Sequence, residues 1–557
     1  MQKSDLTVKI NGNEDHSLEK ILSDNHYRVI LNIENTFVLK SAILEIPYRY
    51  SDEKVLLNGF QTWSTSRTVS VNSHDSKVSR IFNKLQGKYG DYELADYNYL
   101  HSWTYTYLKK QNYCRVIGSL NEENAYHFIE FDLEKNVIRL VLDVDELIIT
   151  EKTYELFNFY DVIGSDESVV ATYFDELNYD SQLEIRKYYG WTSWYQYYTD
   201  INEIIILKNL EEYSQKGIDL DYFQIDDGYQ KYIGDWLEVD KDFPNGMALI
   251  ANKIHKANYK AGLWLAPFIC ERNSNVFRNH KKWLIKDKKG KPLKIGYNPG
   301  WSGYYYGLNI LVPEVREYLR VVFHTIINEW GYDLLKLDFL FAVIHIKSNH
   351  KTRGKIMREA MVFLKEITNG AHIIACGVPL ASVYGLFEFS RTSSDVGIKW
   401  EDTLMKWLNF KERVSTFNSI ETNIARRHMN HRVFVNDPDV LILRDDNQKM
   451  TWDQRKTLLF VNLIFGSLIF TSDSISAYSN DHMALYELTF IFRYSKIKNI
   501  KLNDLIYVEV TTKNKDYLFI INIKDEEYMI EFEEAWQFSY SNNLKKVSPY
   551  ESLFIEK

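Results

Sequence analysis

Four charged side chains stand where apolar runs end, at spacings that could do chemistry. In LLKLDFL (334–340), Lys336 and Asp338 sit two apart among Leu and Phe. On a strand, residues i and i+2 share a face. A cation and an anion on one buried face are costly to desolvate, so they are expected to pair with each other or with a ligand. In RTSSD, Arg391 precedes Asp395 by four residues at the close of FEFSRTSSD (387–395). Two carboxylates at one mouth can divide an acetal cleavage between them. One attacks carbon; the other protonates the leaving oxygen and later deprotonates water. Asp226 and Asp227 close DYFQIDD (221–227) as a third acidic element. Ionised carboxylates are pure acceptors and suit hydroxyl donors. Trp191, Trp194 and Trp264 fall on or beside the same kind of run. Indole faces suit the C–H patches of a pyranose.

Each feature alone has a plainer reading. The Lys-x-Asp pair could be a buried salt bridge, Asp395 a helix N-cap in SSDVG, Asp226-Asp227 a loop cap or metal site, and any tryptophan core. The case rests on their convergence. No HExxH, HxH or acidic triplet accompanies them, so no metal is expected. There is no GxGxxG and no GxxxxGK[ST], so no nucleotide cofactor is expected.

The elements that must position these residues alternate between short apolar runs and amphipathic segments. The runs are YYGWTSW (188–194), DYFQIDD (221–227), AGLWLAPF (261–268), LLKLDFL (334–340), HIIACG (372–377), FEFSRTSSD (387–395), RVFVND (432–437) and SLIFTSD (467–473). Helical stripes are predicted at 201–216, ending at Gly217, at 313–330 between Pro313 and Gly331, and at 354–368. Eight strand runs with polar ends predict a (β/α)8 TIM barrel, whose catalytic face lies at the strand C-termini. A doubly wound sheet fits the alternation but does not need an acid at nearly every strand end. Before about residue 178 the period is two, as in FVLKSAILEI (37–46) and 127–150, which predicts an N-terminal β-sandwich. After about 496 it returns to two, as in 516–534, predicting a small C-terminal antiparallel β domain. The expected division is therefore 1–178, 179–495 and 496–557.

The totals set bounds on this. A chain of 557 residues exceeds one core. With 45% hydrophobic and 26% charged residues and a net charge of -9, it reads as globular, with no nucleic-acid partner expected. Its three cysteines, Cys114, Cys270 and Cys376, are scattered and form no disulfide framework. No apolar h-region opens the sequence and no run of eighteen apolar residues occurs, so a cytoplasmic protein without membrane contact is the expectation.

The motifs GWTSWYQYY, FQIDDGYQ, IGDW, GLWLAPF, LLKLDFLF and RTSSD occur in the order and spacing of glycoside hydrolase family 36. The chain resembles the compact bacterial α-galactosidases of that family more than its larger tetrameric members. The likeness spans the whole chain in architecture and is densest from about 188 to 400. It implies a retaining mechanism without cofactor, with Asp338 as nucleophile and Asp395 as acid/base. It implies that Asp226 and Asp227 receive O4 and O6 of galactose, that Lys336 binds hydroxyls beside the nucleophile, and that Arg391 lies near O2. Trp194 and Trp264 match pocket walls, Trp63 of GFQTWSTSR reaches in from the sandwich, and Cys376-Gly377 faces the 2-position. On this likeness Lys336 should keep Asp338 ionised while Asp395 holds a proton. The implied substrate is an oligosaccharide with terminal α-galactose, of melibiose or raffinose type. The alternatives are α-N-acetylgalactosaminidase, transglycosylase, or a non-catalytic sugar-binding protein, and from another class a metal-dependent barrel lyase or isomerase. The Tyr-rich segment GYNPGWSGYYYGLN (296–309) reads as a packed surface loop, although such a segment could also serve the leaving-group side.

Overall fold

The computed structural model describes residues 6–12, 16–73, 89, 91, 99–179, 183–531 and 544–556. The eight apolar runs all contain strands, here β1 (Tyr188–Thr192), β2 (Tyr222–Ile225), β3 (Lys260–Leu265), β4 (Leu334–Leu337), β5 (His372–Ala375), β6 (Phe389–Arg391), β7 (Val435–Asp437) and β8 (Leu468–Thr471). Both faces of these strands are buried, so they read as unbroken apolar runs rather than alternating ones. They pair in parallel, each with its sequence neighbour, and β1 pairs with β8. One edge of the sheet is β7; the other is the two-residue strand Val440–Leu441 beside β8, only Pro438 and Asp439 further along the chain. Ser467 N at the head of β8 donates to Asn436 O of β7 at 3.0 Å. The ring is thus a TIM barrel.

Helices return the chain as predicted. Glu203–Gln215 is capped by Asn202, whose side chain accepts from Ile205 N, and ends before Gly217 at φ 64°. Arg353–Ile367 is capped by Thr352 in the same way. The segment that begins at Pro313 is α-helical only to His324; Thr325–Glu329 winds as a π-helix before Gly331 at φ 85°. The strands stop one or two residues short of the acids. Asp226 and Asp227 follow Ile225, and Asp338 follows Leu337, so these carboxylates lie on the mouth and not within the packed interior.

Upstream, antiparallel sheets of seven and five strands share one apolar core, including Val29, Leu31, Leu44, Ile46, Ile129 and Phe157. Downstream lie a four-stranded antiparallel sheet, ending with Ser552–Glu556, and a pair formed by Tyr528–Glu531 and Leu544–Val547. The last three residues of the predicted 516–534 run lie outside the described residues. No described helix is long and apolar enough to cross a membrane.

The sandwich and barrel are joined where the site needs it. Thr62 N donates to Val378 O at 3.0 Å. Arg426, with no exposed surface, donates to the carbonyls of Gly59, Gln61 and Thr62 and to Thr392 O in the barrel. A guanidinium fork can hold several carbonyls at once, and this one fixes the loop that carries Trp63.

Candidate active site

The loops after β2, β4 and β6 converge on one cavity. Its walls include Trp63, Trp194, Trp264, Asp226, Asp227, Lys336, Asp338 and Asp395. Tyr89, Asn298, Trp301, Phe339, Ser394, Glu412 and Val414 complete it.

Asp338 is buried at the cavity floor. Trp264 Nε1 donates to its Oδ2 at 3.1 Å, and Phe339 N to its Oδ1 at 2.8 Å. Phe339 takes the left-handed region at φ 53°, an uncommon conformation for a large side chain. That turn aims the Phe339 amide back at the carboxylate. Lys336 does not pair with Asp338. Its Nζ donates to Asp226 Oδ2 at 2.9 Å, an oxygen that also accepts from Gln224 Nε2 at 2.8 Å. Same-face spacing brought Lys336 and Asp338 to one side, but Asp226 on the neighbouring rim is the better placed acceptor. Burial raises the Asp338 pKa and outweighs the lowering by Lys336, while Asp395 adds to the rise. Its net shift is upward, where the resemblance led to a carboxylate held firmly ionised. Burial alone would lower the Lys336 pKa, but Asp226 outweighs it and holds the ammonium charged.

Asp227 is held by Gln230 Nε2 at 2.5 Å and Trp301 Nε1 at 2.9 Å. Burial pushes its carboxyl up to about 6 against those two donors, with Asp226 and Glu271 adding to the rise. Asp395 faces the other way, with its side chain 40% exposed, and accepts from Arg391 Nη1 at 2.9 Å. No helix starts after Asp395; the next begins at Thr403 under an Asp402 cap, so the N-cap reading fails.

Arg391, Cys376 and Gly377 are not among the wall residues. Arg391 is buried and salt-bridged to Asp395, Asp437 at 3.1 Å and Asp439 at 2.7 Å. It sits behind Asp395 and orients it. Cys376 is buried behind the wall. Gly377 has φ 56°, and a Cβ there would stand 2.9 Å from Trp63 Cη2 and 3.1 Å from Phe339 N. Its missing side chain is what lets Trp63 close against the barrel. Trp191 is fully buried and stacks on Phe223 at 4.3 Å, so it is core. Its strand position turns it away from the mouth, where Trp194 on the next short helix reaches the cavity.

The Tyr-rich segment is not a surface loop. Lys294–Asn298 and Gly303–Gly307 form a hairpin whose tip carries Trp301 into the site. Its sequence signal was a tryptophan between two glycines, PGWSG, which a reading based on strand ends passed over. Glu412 and Tyr89 carried no motif.

Residues 190–372 match the family model described as Melibiase. The alpha-galactosidase of Escherichia coli is 27% identical over 153 residues, 26% of this chain and 20% of that protein. Alpha-galactosidase Mel36A of Lactobacillus acidophilus is 29% identical over 153 residues, with the same shares. The match therefore spans about a fifth of the length of these curated relatives. The Thermus thermophilus alpha-galactosidase TtGalA, solved with p-nitrophenyl alpha-D-galactopyranoside, superposes with TM-score 0.72 at 23% identity, over 89% of this chain and 99% of that one. GH36 alpha-galactosidase AgaA from Geobacillus stearothermophilus superposes with TM-score 0.62 at 10% identity, over 99% and 87%. Fold and acidic mouth define the class, that of the glycoside hydrolases built on a TIM barrel. Within it, the chain belongs to the melibiases of the family 36 type.

Proposed function

We propose that the chain is a retaining α-galactosidase that removes terminal α-linked galactose from oligosaccharides by double displacement. One observation carries the reading: two carboxylates in different settings, Asp338 buried and Asp395 half-exposed, share one cavity with the hydroxyl acceptors Asp226 and Asp227. Asp338 attacks the anomeric carbon as the glycosidic oxygen takes the proton of Asp395. The resulting glycosyl ester is broken by water, whose proton returns to Asp395. Arg391 positions Asp395. Lys336 and Trp301 orient the acceptors that receive the sugar hydroxyls, and Trp194, Trp264 and Trp63 wall the ring. The printed ligands of the structural neighbours fit this substrate class: TtGalA is described with stachyose and AgaA with raffinose.

The upward shift of Asp338 sets the sign of the pH dependence. The nucleophile must be ionised, so activity falls with falling pH at a midpoint above the ordinary carboxylate range. The three-domain division at 178 and 495 belongs to the same reading. A relative from Flavonifractor plautii described as an A type blood alpha-D-galactosamine galactosaminidase is 26% identical over 172 residues, 29% of this chain and 15% of that protein, and keeps an N-acetyl substrate in view. Initial rates on p-nitrophenyl α-galactoside and its 2-acetamido analogue, beside Asp338→Asn, test the reading. Turnover of the galactoside that is lost in the variant supports it. Preference for the acetamido substrate moves the specificity, and turnover of neither by folded wild type overturns the reading.

A further inference from the structure

Glu412 is a carboxyl in the cavity wall to which the double displacement assigns no task. It stands between Asp395 and Val414 among the wall residues and is 7% exposed. Its Oε2 is buried and makes no hydrogen bond. Two more buried polar atoms of the same wall are without partners, Ser394 Oγ beside Asp395 and Trp63 Nε1. Native proteins pair nearly all such atoms, so three unpaired ones facing one cavity mark positions that a ligand's polar groups complete.

The side on which Glu412 stands can be read from its neighbours. Tyr89 feels Glu412 first, then Asp395, then Asp338. Asp227, across the cavity, feels Asp226 and Glu271. Glu412 therefore shares the rim of the proton donor and lies opposite the acceptors assigned to galactose. Its backbone is clamped: Lys411 O accepts from Thr65 Oγ1 at 2.7 Å and Asn418 Nδ2 at 2.7 Å. Arg413 is bidentate on Glu401 at 2.7 and 2.8 Å. A side chain held from both flanks loses little freedom on meeting a ligand.

We propose that Glu412 binds the leaving sugar, its carboxyl hydrogen-bonding a hydroxyl of the saccharide unit that departs on the Asp395 side. The proposal rests on the α-galactosidase reading above. Burial and Asp91 push the Glu412 carboxyl up to about 8, against Lys411, its own backbone amide and Arg67. At neutral pH it is then mostly the acid, which both donates and accepts, as a sugar hydroxyl does. A neutral carboxyl also spares the acid/base a second negative charge on its own rim. A leaving group without hydroxyls, such as nitrophenol, gains nothing from Glu412, so the residue selects glycosides of sugars over simple aryl glycosides.

The test compares wild type, Glu412→Ala and Glu412→Gln on p-nitrophenyl α-galactoside and on melibiose, with melting temperatures recorded for all three. Glu412→Ala is expected to lower kcat/KM on melibiose about tenfold more than on the aryl galactoside, chiefly through KM. Glu412→Gln, which keeps a donor and an acceptor, is expected to restore most of that difference. Equal losses on both substrates, an unchanged ratio, or a glutamine variant as poor as the alanine one would overturn the proposal. Wild type inactive on both substrates would fail the α-galactosidase reading itself and this proposal with it. Active wild type with an unchanged ratio in Glu412→Ala fails this proposal alone.

Discussion

The two rims of the cavity are built on opposite plans. On the Asp226–Asp227 rim every carboxylate oxygen already has a donor: Lys336, Gln224 and the Asp227 amide on Asp226, and Gln230 and Trp301 on Asp227. On the Asp395 rim the carboxylate is 40% exposed, and Ser394, Trp63 and Glu412 each keep an unpartnered polar atom. The first rim is preorganised, so hydroxyls meet acceptors that are already aimed and need not reorganise. The second must release a proton, admit water and let a leaving group out, which a fully bonded wall would obstruct.

This contrast can be broken at several points. Asp338, between the rims, gives the largest effect. Asp338→Asn is expected to lower kcat by about 10⁴-fold, or ~5.5 kcal/mol, in initial rates of a variant that melts like wild type. A loss below tenfold would remove Asp338 from the nucleophile's place. Asp395→Asn should cost roughly 10²–10⁴-fold on oligosaccharides. It should cost clearly less on a nitrophenyl galactoside, whose leaving group departs without a proton; equal losses would contradict the acid's role.

Stability separates the rims next. Lys336→Met leaves Asp226 buried with its charge unpaired, at a cost of ~3–5 kcal/mol in denaturant unfolding. Asp395→Asn removes a half-exposed pair and should cost about 1 kcal/mol or less. Comparable costs would mean that the second rim is as tightly built as the first.

Asp227 adds a pH signature. Its folded value of about 6 lies above the unfolded one, so the folded state binds the extra proton. The stabilisation from that proton is complete below the unfolded value of about 3.9 and is lost as pH rises to about 6, on the order of 3 kcal/mol in all. Asp227→Asn should flatten the melting temperature across that window, and an unchanged slope would assign it elsewhere. The smallest effect expected is that of Trp301→Phe, which keeps the ring and removes the donor to Asp227. KM should rise about tenfold, ~1.4 kcal/mol, with kcat little altered.

Much of the fold could be read along the chain because parallel strands covered on both faces leave unbroken apolar runs with polar ends. All eight runs carry strands, and the predicted helices begin within two residues of their expected starts. The π-helical turn at Thr325–Glu329 had no such signal. At the site, Asp226, Asp227, Lys336, Asp338 and Asp395 could be picked out because each follows a strand at a fixed spacing. Trp301, Tyr89 and Glu412 could not, since they lie on connecting segments with no period. Trp191 and Trp194 are three apart and look alike in sequence, yet one is core and the other cavity wall.

What the sequence determined by itself was therefore the barrel, its catalytic end and the strand-end acids, all of which follow from local pattern. The partners were decided only by tertiary structure. Lys336 bonds Asp226, which lies 110 residues away, and not Asp338, two residues away. Trp301 reaches Asp227 across 74 residues, and Glu412 meets the Asp395 rim only because Thr65 of the sandwich and Asn418 of the barrel clamp its loop. Hydrogen bonds and desolvation depend on distances in space, and a folded ring of strands brings together residues that no spacing along the chain relates.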